Sequence, residues 1–387
     1  MEALEKLKLL GCQMNLEPAE EAGSLPACDV LRPAPPTGEG DLPVFHAAMP
    51  GGKRIALLKT LLTSACERDC FYCPFRAGRD FRRATFQPDE MARVFFQMHS
   101  AGQVEGLFLS SGVASGGVRT QDRLLAAAEV LRRKLGFRGY LHLKLMPGAE
   151  RDQVLEAMRW ADRVSLNLEA PNGRRLPALA PHKAFERELL QPLRWVDEIR
   201  RTLPPAQAWQ GSWPSLTTQF VVGGAGETDL EILGTTAYLT RQVNLKRAYF
   251  SAFNPVSDTP LAGLAPENPW RQHRLYQASF LLRDYGFDVE DLPFRADGHL
   301  PLNLDPKVGW ARENLSEQPV EVNRANLHDL LRVPGIGPQG ARAIVRARRT
   351  GQLRDLRDLR ALGVLANRAA PFIVLNGHRP AYQPQLL

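Results

Sequence analysis

Long hydrophobic runs are missing from this 387-residue chain. No stretch approaches the ~18–20 consecutive apolar residues that a bilayer-crossing helix needs. The first ten residues interleave acids with leucines and contain no small-residue cleavage site, so a secretory leader is not expected. Cysteine is scarce and odd in number. Five cysteines (Cys12, Cys28, Cys66, Cys70 and Cys73) cannot all pair, which argues against a disulfide scaffold and for a cytoplasmic protein. Lysine is absent beyond residue 320: residues 321–387 hold eleven arginines, no lysine and four acids. That segment therefore carries a net +7, the whole imbalance of the chain, because the other 320 residues hold 38 basic and 38 acidic groups. A compact arginine-rich region of this kind suits a polyanionic partner, nucleic acid first. With 44% hydrophobic and 24% charged residues, the chain has the mix of a folded globular protein.

Residues 1–45 read as a short helix followed by an extended, Pro- and Glu-rich arm. From Arg54 a strand–helix alternation begins. Apolar, β-branched or aromatic runs occupy Arg54–Thr63, Glu105–Ser111, Gly139–Met146, Arg163–Glu169, Leu216–Val222 and Arg247–Phe253. Helical patterns fall near 88–101, 121–135, 150–160, 183–202, 227–244 and 270–285. Six such units predict a parallel sheet with right-handed crossovers, either an open partial barrel or a doubly wound sheet. In both, functional loops lie at the carboxyl ends of the strands. The expected division is an N-terminal extension (1–45), a barrel (46–290), a linker (291–320), a paired helical-hairpin domain (321–378) and a tail (379–387).

Three of the five cysteines lie within eight residues, as Cys66-Glu-Arg-Asp-Cys70-Phe-Tyr-Cys73, directly after the first strand. Three thiolates this close can wrap one face of an iron–sulfur cube. A closed zinc site wants four ligands, and neither His46 nor Cys28 has a helpful spacing. Three protein ligands leave one metal position open, which suits chemistry rather than stapling. On strand three, His142 and Lys144 share a face and are candidates for substrate contact or proton transfer. Ser251 and Asn254 end strand six in a similar position. Ser165, Asn167 and Glu169 alternate onto one face of strand four. Gly223 and Gly224 close strand five, where absent side chains let backbone approach a ligand, and Glu227 follows at the start of a helix.

Cys-x3-Cys-x2-Cys with Tyr72 before the last cysteine, in the loop after strand one of a βα array, resembles the radical S-adenosylmethionine (SAM) superfamily. The resemblance implies a partial (β/α)6 barrel of the TIM type. It also implies a 4Fe–4S cluster on Cys66, Cys70 and Cys73, with SAM chelating the fourth iron. In that superfamily one electron cleaves the sulfonium and yields a 5′-deoxyadenosyl radical that abstracts a substrate hydrogen. An electron donor such as flavodoxin or ferredoxin is implied with it. Ser110-Ser111-Gly112 stands where the family binds the SAM amino group, usually through a Gly-Gly-Glu-like turn, so backbone carbonyls or hydroxyls would do that work here. Asn167 and Glu169 suit a ribose hydroxyl, and Gly223-Gly-Ala-Gly-Glu227 resembles the adenine-side Gly-x-x-Gly-Glu motif. Cys12 and Cys28 are expected to be ordinary thiols.

Further on, Leu331-Arg-Val-Pro334-Gly335-Ile336-Gly337-Pro-Gln-Gly-Ala341 resembles the helix-hairpin-helix DNA-binding motif. Gly335 and Gly337 permit a tight turn opening a helix, whose backbone N–H groups fit a phosphate. Ile336 is expected to plug the turn into the core. Arg342, Arg346, Arg348 and Arg349 follow as phosphate contacts, which position a duplex without reading its bases. A second copy around Leu362-Gly363-Val364 lacks Pro-Gly and reads as degenerate, with Arg354, Arg357, Arg360 and Arg368 adding charge. The whole of residues 45–378 resembles the bacterial radical SAM proteins grouped under DNA modification and repair, through stretches such as Leu57-Leu-Lys-Thr, Arg83-Ala-Thr-Phe, His273-Arg-Leu-Tyr-Gln and Leu304-Asp-Pro-Lys. That group is also associated with a DNA-metabolism protein related to uracil-DNA glycosylases. The expected function is modification or repair of a DNA nucleotide. The alternatives are a radical SAM enzyme acting on RNA and a non-enzymatic Fe–S protein that binds DNA or senses redox state.

Overall fold

The structure, a computed structural model, describes residues 2–12, 44–48 and 54–382. The arm expected over 13–43, Cys28 included, lies outside them. The chain divides into two units, Met1–Glu227 with Tyr238–Gln272, and Thr228–Ala237 with His273–Leu387. Among the described residues no helix is long and apolar enough to cross a membrane.

In chain order the elements are α1 (Ala3–Cys12), β1 (Val44–Ala48), β2 (Arg54–Leu61), α2 (Pro88–Ser100), β3 (Gly106–Ser110), α3 (Gly117–Glu129), β4 (Tyr140–Lys144), α4 (Arg151–Trp160), β5 (Arg163–Ser165), α5 (Gln191–Thr202), β6 (Ser215–Val222), α6 (Asp229–Gln242), β7 (Arg247–Ala252) and α7 (Pro269–Asp284). The seven strands form one sheet whose spatial order is their chain order. Every pairing from β2 to β7 is parallel. A doubly wound sheet would reverse its strand order near the middle, so the sheet is the partial barrel. All five residues of β3 are buried, as expected of a strand covered on both faces.

Three features differ from the sequence reading. Strand β1 pairs antiparallel with β2, straddling the boundary expected at residue 45, where the sequence reading places no strand. A five-residue edge strand holds few contacts of its own, and the β2 edge supplies its register. Strand β5 stops at Ser165, not Glu169. Glu169 adopts φ 65°, so the chain bends there and rejoins the sheet through a bridge to Phe220. Helix α3 runs on into a π-turn, Val130–Lys134, and α5 is preceded by another, Phe185–Leu190. Buried Arg132 in the first π-turn donates to the carbonyls of Phe137 and Gly139 and pairs with Asp162 at 2.9 Å. It thereby clamps the starts of β4 and β5, at the end of the barrel opposite the functional loops.

The second unit holds α8 (Pro306–Asn314), β8 (Val320–Glu321), α9 (Leu327–Arg332), α10 (Pro338–Ala347), α11 (Leu356–Ala361), α12 (Ala366–Ala369) and β9 (Ile373–Val374). Helix α8 lies in a stretch without clear periodicity. It is set by its ends instead: Asp305 caps it, accepting from the Lys307 and Val308 backbone N–H groups, and Pro306 opens its first turn. One apolar core runs from Ala311 and Leu315 through Leu330, Ile336, Ile344 and Leu359 to Ile373. β8 and β9 pair in parallel and close it.

Candidate active site and nucleic-acid interface

Beyond β2 the backbone is tied down on both sides before it reaches the cysteines. Leu62 N–H donates to Ser110 O, and Gly112 N–H to Thr63 O at 2.7 Å. Glu67 N–H reaches Val113 O, and Ala77 N–H returns to Arg68 O, both at 2.8 Å. Arg83 cross-links the result. Its guanidinium donates to the carbonyls of Ser64 (2.6 Å), Phe75 (2.9 Å), Arg76 (2.8 Å) and Arg79 (3.3 Å), and lies over the Phe81 ring. These carbonyls flank the cysteine triplet, so one planar cation fixes its entrance and exit. Sequence reasoning gave Arg83 no role in the site, because its acceptors are main-chain atoms that leave no residue-type signal.

Cys66, Cys70 and Cys73 all line one cavity of about 360 Å³ at the carboxyl ends of the strands. Cys70 is buried and the other two are half-buried. Burial pushes the Cys70 and Cys73 thiols up from their ordinary range, so without metal they stay protonated, and metal binding must release those protons. Among the described residues no group of three or more His, Cys, Asp or Glu converges on a single metal ion. A cube takes one thiolate per iron, so its ligands spread along a wall instead of meeting at a point. Three thiols on the wall of one cavity, at the strand ends, fit a 4Fe–4S cluster with one open iron.

Ser110, Ser111 and Gly112 line the same cavity, as do Lys144, Asn167, Glu169, Ser251 and Asn254. Lys144 Nζ donates to Asn167 Oδ1 at 2.6 Å. Several cavity residues escaped the sequence reading, Gln219 and Lys183 among them. Gln219 is an inward residue of β6, and Lys183 pairs with Glu169 at 3.1 Å with both side chains under 10% exposed. Burial works against the Lys183 ammonium, but the Cys70 sulfur, once it is a thiolate, and the Glu169 carboxylate more than offset it and raise its pKa.

Other predicted residues stand elsewhere. His142 does not line the cavity. It is buried below, against Ser165 Oγ at 2.8 Å and the Phe108 ring. Gly223, Gly224 and Glu227 also stand outside the lining. The Glu227 carboxylate folds back to accept from Gly223 N–H (2.6 Å) and Ala225 N–H (3.1 Å), and it pairs with Arg271. Gly223 has φ 92°, and a Cβ there would meet Glu267 Oε2 at 2.2 Å. In this loop the glycines and the acid pack against neighbouring side chains.

Gly112 is held by a different pressure. A Cβ on it would lie 2.3 Å from Ala65 O and 3.2 Å from Cys66 Cβ, so the end of β3 tolerates no side chain without displacing the cysteine loop. Gly112→Ala is expected to lower stability by ~1–3 kcal/mol and to take up clearly less iron on anaerobic reconstitution. Iron per chain together with a melting curve checks this; a variant equal to the parent in both refutes the contact.

In the second unit the chain between α9 and α10 makes the expected tight turn. Gly335 has φ 84°. Ile336 is 1% exposed and sits in the helical core. Gly337 precedes Pro338, which opens α10. The second turn has its own left-handed glycine, Gly363 at φ 77°, and the Leu365 N–H donates to Gly335 O at 3.0 Å, joining the two turns. Arg342, Arg346 and Arg349 are exposed, as are Arg354 and Arg357. Arg348 departs from expectation, since its guanidinium donates to the carbonyls of Val322 and Ala325 and braces the fold. Arg360 reaches Asn367 and Arg368 reaches Asp305.

Residues 60–239 match the model of the radical SAM superfamily, and residues 316–368 match that of the helix-hairpin-helix motif. No curated protein matches the chain. Among solved structures the chain is similar to methylornithine synthase, at 14% identity over 60% of this chain and 64% of that one, with a TM-score of 0.46. It is similar also to the FeFe-hydrogenase maturase HydG from Carboxydothermus hydrogenoformans, at 12% identity over 59% and 51%, with a TM-score of 0.45. A radical SAM methyltransferase from Sphaerobacter thermophilus matches at 14% identity over 62% and 70%, with a TM-score of 0.42. The chain thus spans only about half to two-thirds of the first two proteins. The superfamily match begins in β2 and takes in the cysteine triplet, and the hairpin match spans the turn at Gly335, so the chain carries a region similar to the radical SAM superfamily followed by one similar to the helix-hairpin-helix motif.

Proposed function

We propose that this protein is a radical SAM enzyme that binds DNA through its hairpins and modifies or repairs a nucleotide delivered to the barrel. The observation that carries the reading is the joint location of charge and turn. The segment 321–387 carries the whole net +7 and contains the Pro334–Gly337 turn. On α10, Arg342 and Arg346 stand exposed behind that turn. Such contacts grip phosphates and leave the bases free. The target nucleotide then flips out of the stack or comes from a single strand.

Cys66, Cys70 and Cys73 would hold the 4Fe–4S cluster, and Ser110, Ser111, Gly112, Asn167 and Glu169 would border SAM. When bound, these groups supply one-electron cleavage of SAM and hydrogen-atom abstraction from the substrate. The electron comes from a flavodoxin or ferredoxin. The chain's own contribution is a chamber of mixed lining, in which Leu61, Met146, Leu166, Val221 and Phe250 supply the apolar surface. Lys144 presents an oriented ammonium, fixed by Asn167, to a substrate oxygen or nitrogen. A DNA-metabolism protein related to uracil-DNA glycosylases is the proposed partner.

Anaerobic reconstitution followed by reductant and SAM tests the reading. The expected result is 5′-deoxyadenosine, in an amount raised by DNA, together with a mass change in one DNA nucleoside. Full iron uptake without 5′-deoxyadenosine in the presence of any nucleic acid would make the protein a sensor. A product found only in RNA nucleosides would move the substrate to RNA.

A further inference from the structure

A second cavity, of about 230 Å³, lies wholly within the second unit, beside the first hairpin turn. Its walls come from α7 and its end (Phe280, Tyr285), the start of α8 (Lys307), the turn itself (Gly335, Ile336) and α12 (Arg368). Lys307 is buried, with only 8% of its surface exposed. Its ammonium has three N–H donors. One goes to Ile336 O at 2.7 Å, and the group lies over the Tyr285 ring at 4.4 Å. Its carboxylate neighbour Asp305 is engaged elsewhere. Oδ1 accepts from the Lys307 and Val308 backbone N–H groups, and Oδ2 from Gln277 and Arg368. A buried cation with no carboxylate in contact is costly. Arg368 adds a second cation at the rim, half exposed and held to Asp305 at 3.3 Å, so it can be drawn away.

We infer that this cavity binds a phosphate group, presented with its sugar by a nucleic-acid strand, between Lys307 and Arg368. The inference rests on the nucleic-acid reading above and adds residues to it, since Tyr285 and Lys307 precede the stretch that matches the hairpin motif. A volume of about 230 Å³ falls below the ~300 Å³ at which small-molecule pockets begin. It accommodates a phosphate and part of a sugar, not a whole nucleotide.

The site carries its own signature. Burial, with Arg368 acting in the same sense against Asp305, pushes the Lys307 ammonium down to about 7. A bound phosphate favours the charged form and raises that value. Between the free and the bound pKa, binding takes up a proton, and affinity falls as pH rises, by at most tenfold per pH unit. The surrounding groups do not mimic this above pH 7. His273 and Arg274 on α7 act on Asp305, but burial pulls His273 below its ordinary range, so it is already neutral. Burial pushes the Tyr285 hydroxyl up, out of the window.

The test uses the full chain at fixed salt. A DNA oligonucleotide is titrated calorimetrically between pH 7 and 8.5 in two buffers of different ionisation heat, and inorganic phosphate is titrated separately. Net proton uptake and an affinity falling with pH are expected. Arg368→Gln should weaken DNA binding about tenfold. Lys307→Arg, which keeps a cation that cannot be neutralised, should bind DNA without the pH dependence. DNA binding with no proton uptake and no effect of Arg368→Gln overturns the inference and leaves Lys307 as a brace for the turn, while the DNA reading survives. If the chain binds no DNA, that reading fails. Phosphate binding with proton uptake then still supports the pocket, and absence of phosphate binding overturns it.

Discussion

Replacing any one of Cys66, Cys70 or Cys73 by alanine is expected to abolish the proposed cluster, with iron falling from about four per reconstituted chain to nearly none. Three thiolates are the minimum for holding a cube with one iron open, and among the described residues no other Cys or His lines the cavity to take over. Two thiolates leave two irons without protein ligands, and the cluster is lost to solvent. Cys12→Ala and Cys28→Ala keep full iron, because neither belongs to the triplet. The loop itself survives the substitutions. Its carbonyls are held by Arg83, so the melting temperature of the metal-free protein changes little. Iron analysis and the visible absorbance of the reconstituted variants decide the matter. One zinc per chain with no iron uptake, or a triplet variant that retains four irons, refutes the assignment.

Gly335→Val is expected to cost most of the duplex affinity while leaving net charge unchanged. At φ 84° a side chain is already disfavoured, by about 1–2 kcal/mol for an ordinary residue and more for a β-branched one. A Cβ would also lie 2.5 Å from Leu365 O and 3.0 Å from Arg368 Cβ, so the turn must move off the second hairpin. Expected together are a lower melting temperature of the helical unit, duplex affinity down at least tenfold, and a salt slope reduced by about 0.9 for each phosphate that is no longer neutralised. Arg346→Ala isolates charge from geometry: it should lower the slope by about one unit with stability unchanged. Salt-series titrations of both variants check this. A Gly335→Val protein that melts lower yet binds DNA like the parent would show that the hairpin is not the surface that meets DNA.

Most of the architecture was legible because it rests on local periodicity. Six apolar runs alternating with six helical patterns predict parallel βα units, and the strand order bears out the partial barrel. The edge strand β1 and helix α8 were not legible. The first is stabilised by pairing with β2, and the second by caps at its end and by the helical core it joins. Neither carries a strong pattern of its own.

What the sequence determined by itself is chemistry carried by spacing: three cysteines in eight residues, the Pro-Gly-Ile-Gly turn and the concentration of arginine beyond residue 320. Covalent spacing limits how far such groups can separate, so their juxtaposition survives any fold. The tertiary structure decided which distant residues share a cavity. It placed Lys144, Asn167 and Lys183 at the cysteines and left His142 and Glu227 outside the lining. It turned Arg348 from a surface charge into a brace. The physical reason is that alternation along a strand selects a face but not a depth, and a side chain's partners are set by neighbouring strands and loops that lie tens of residues away in the chain.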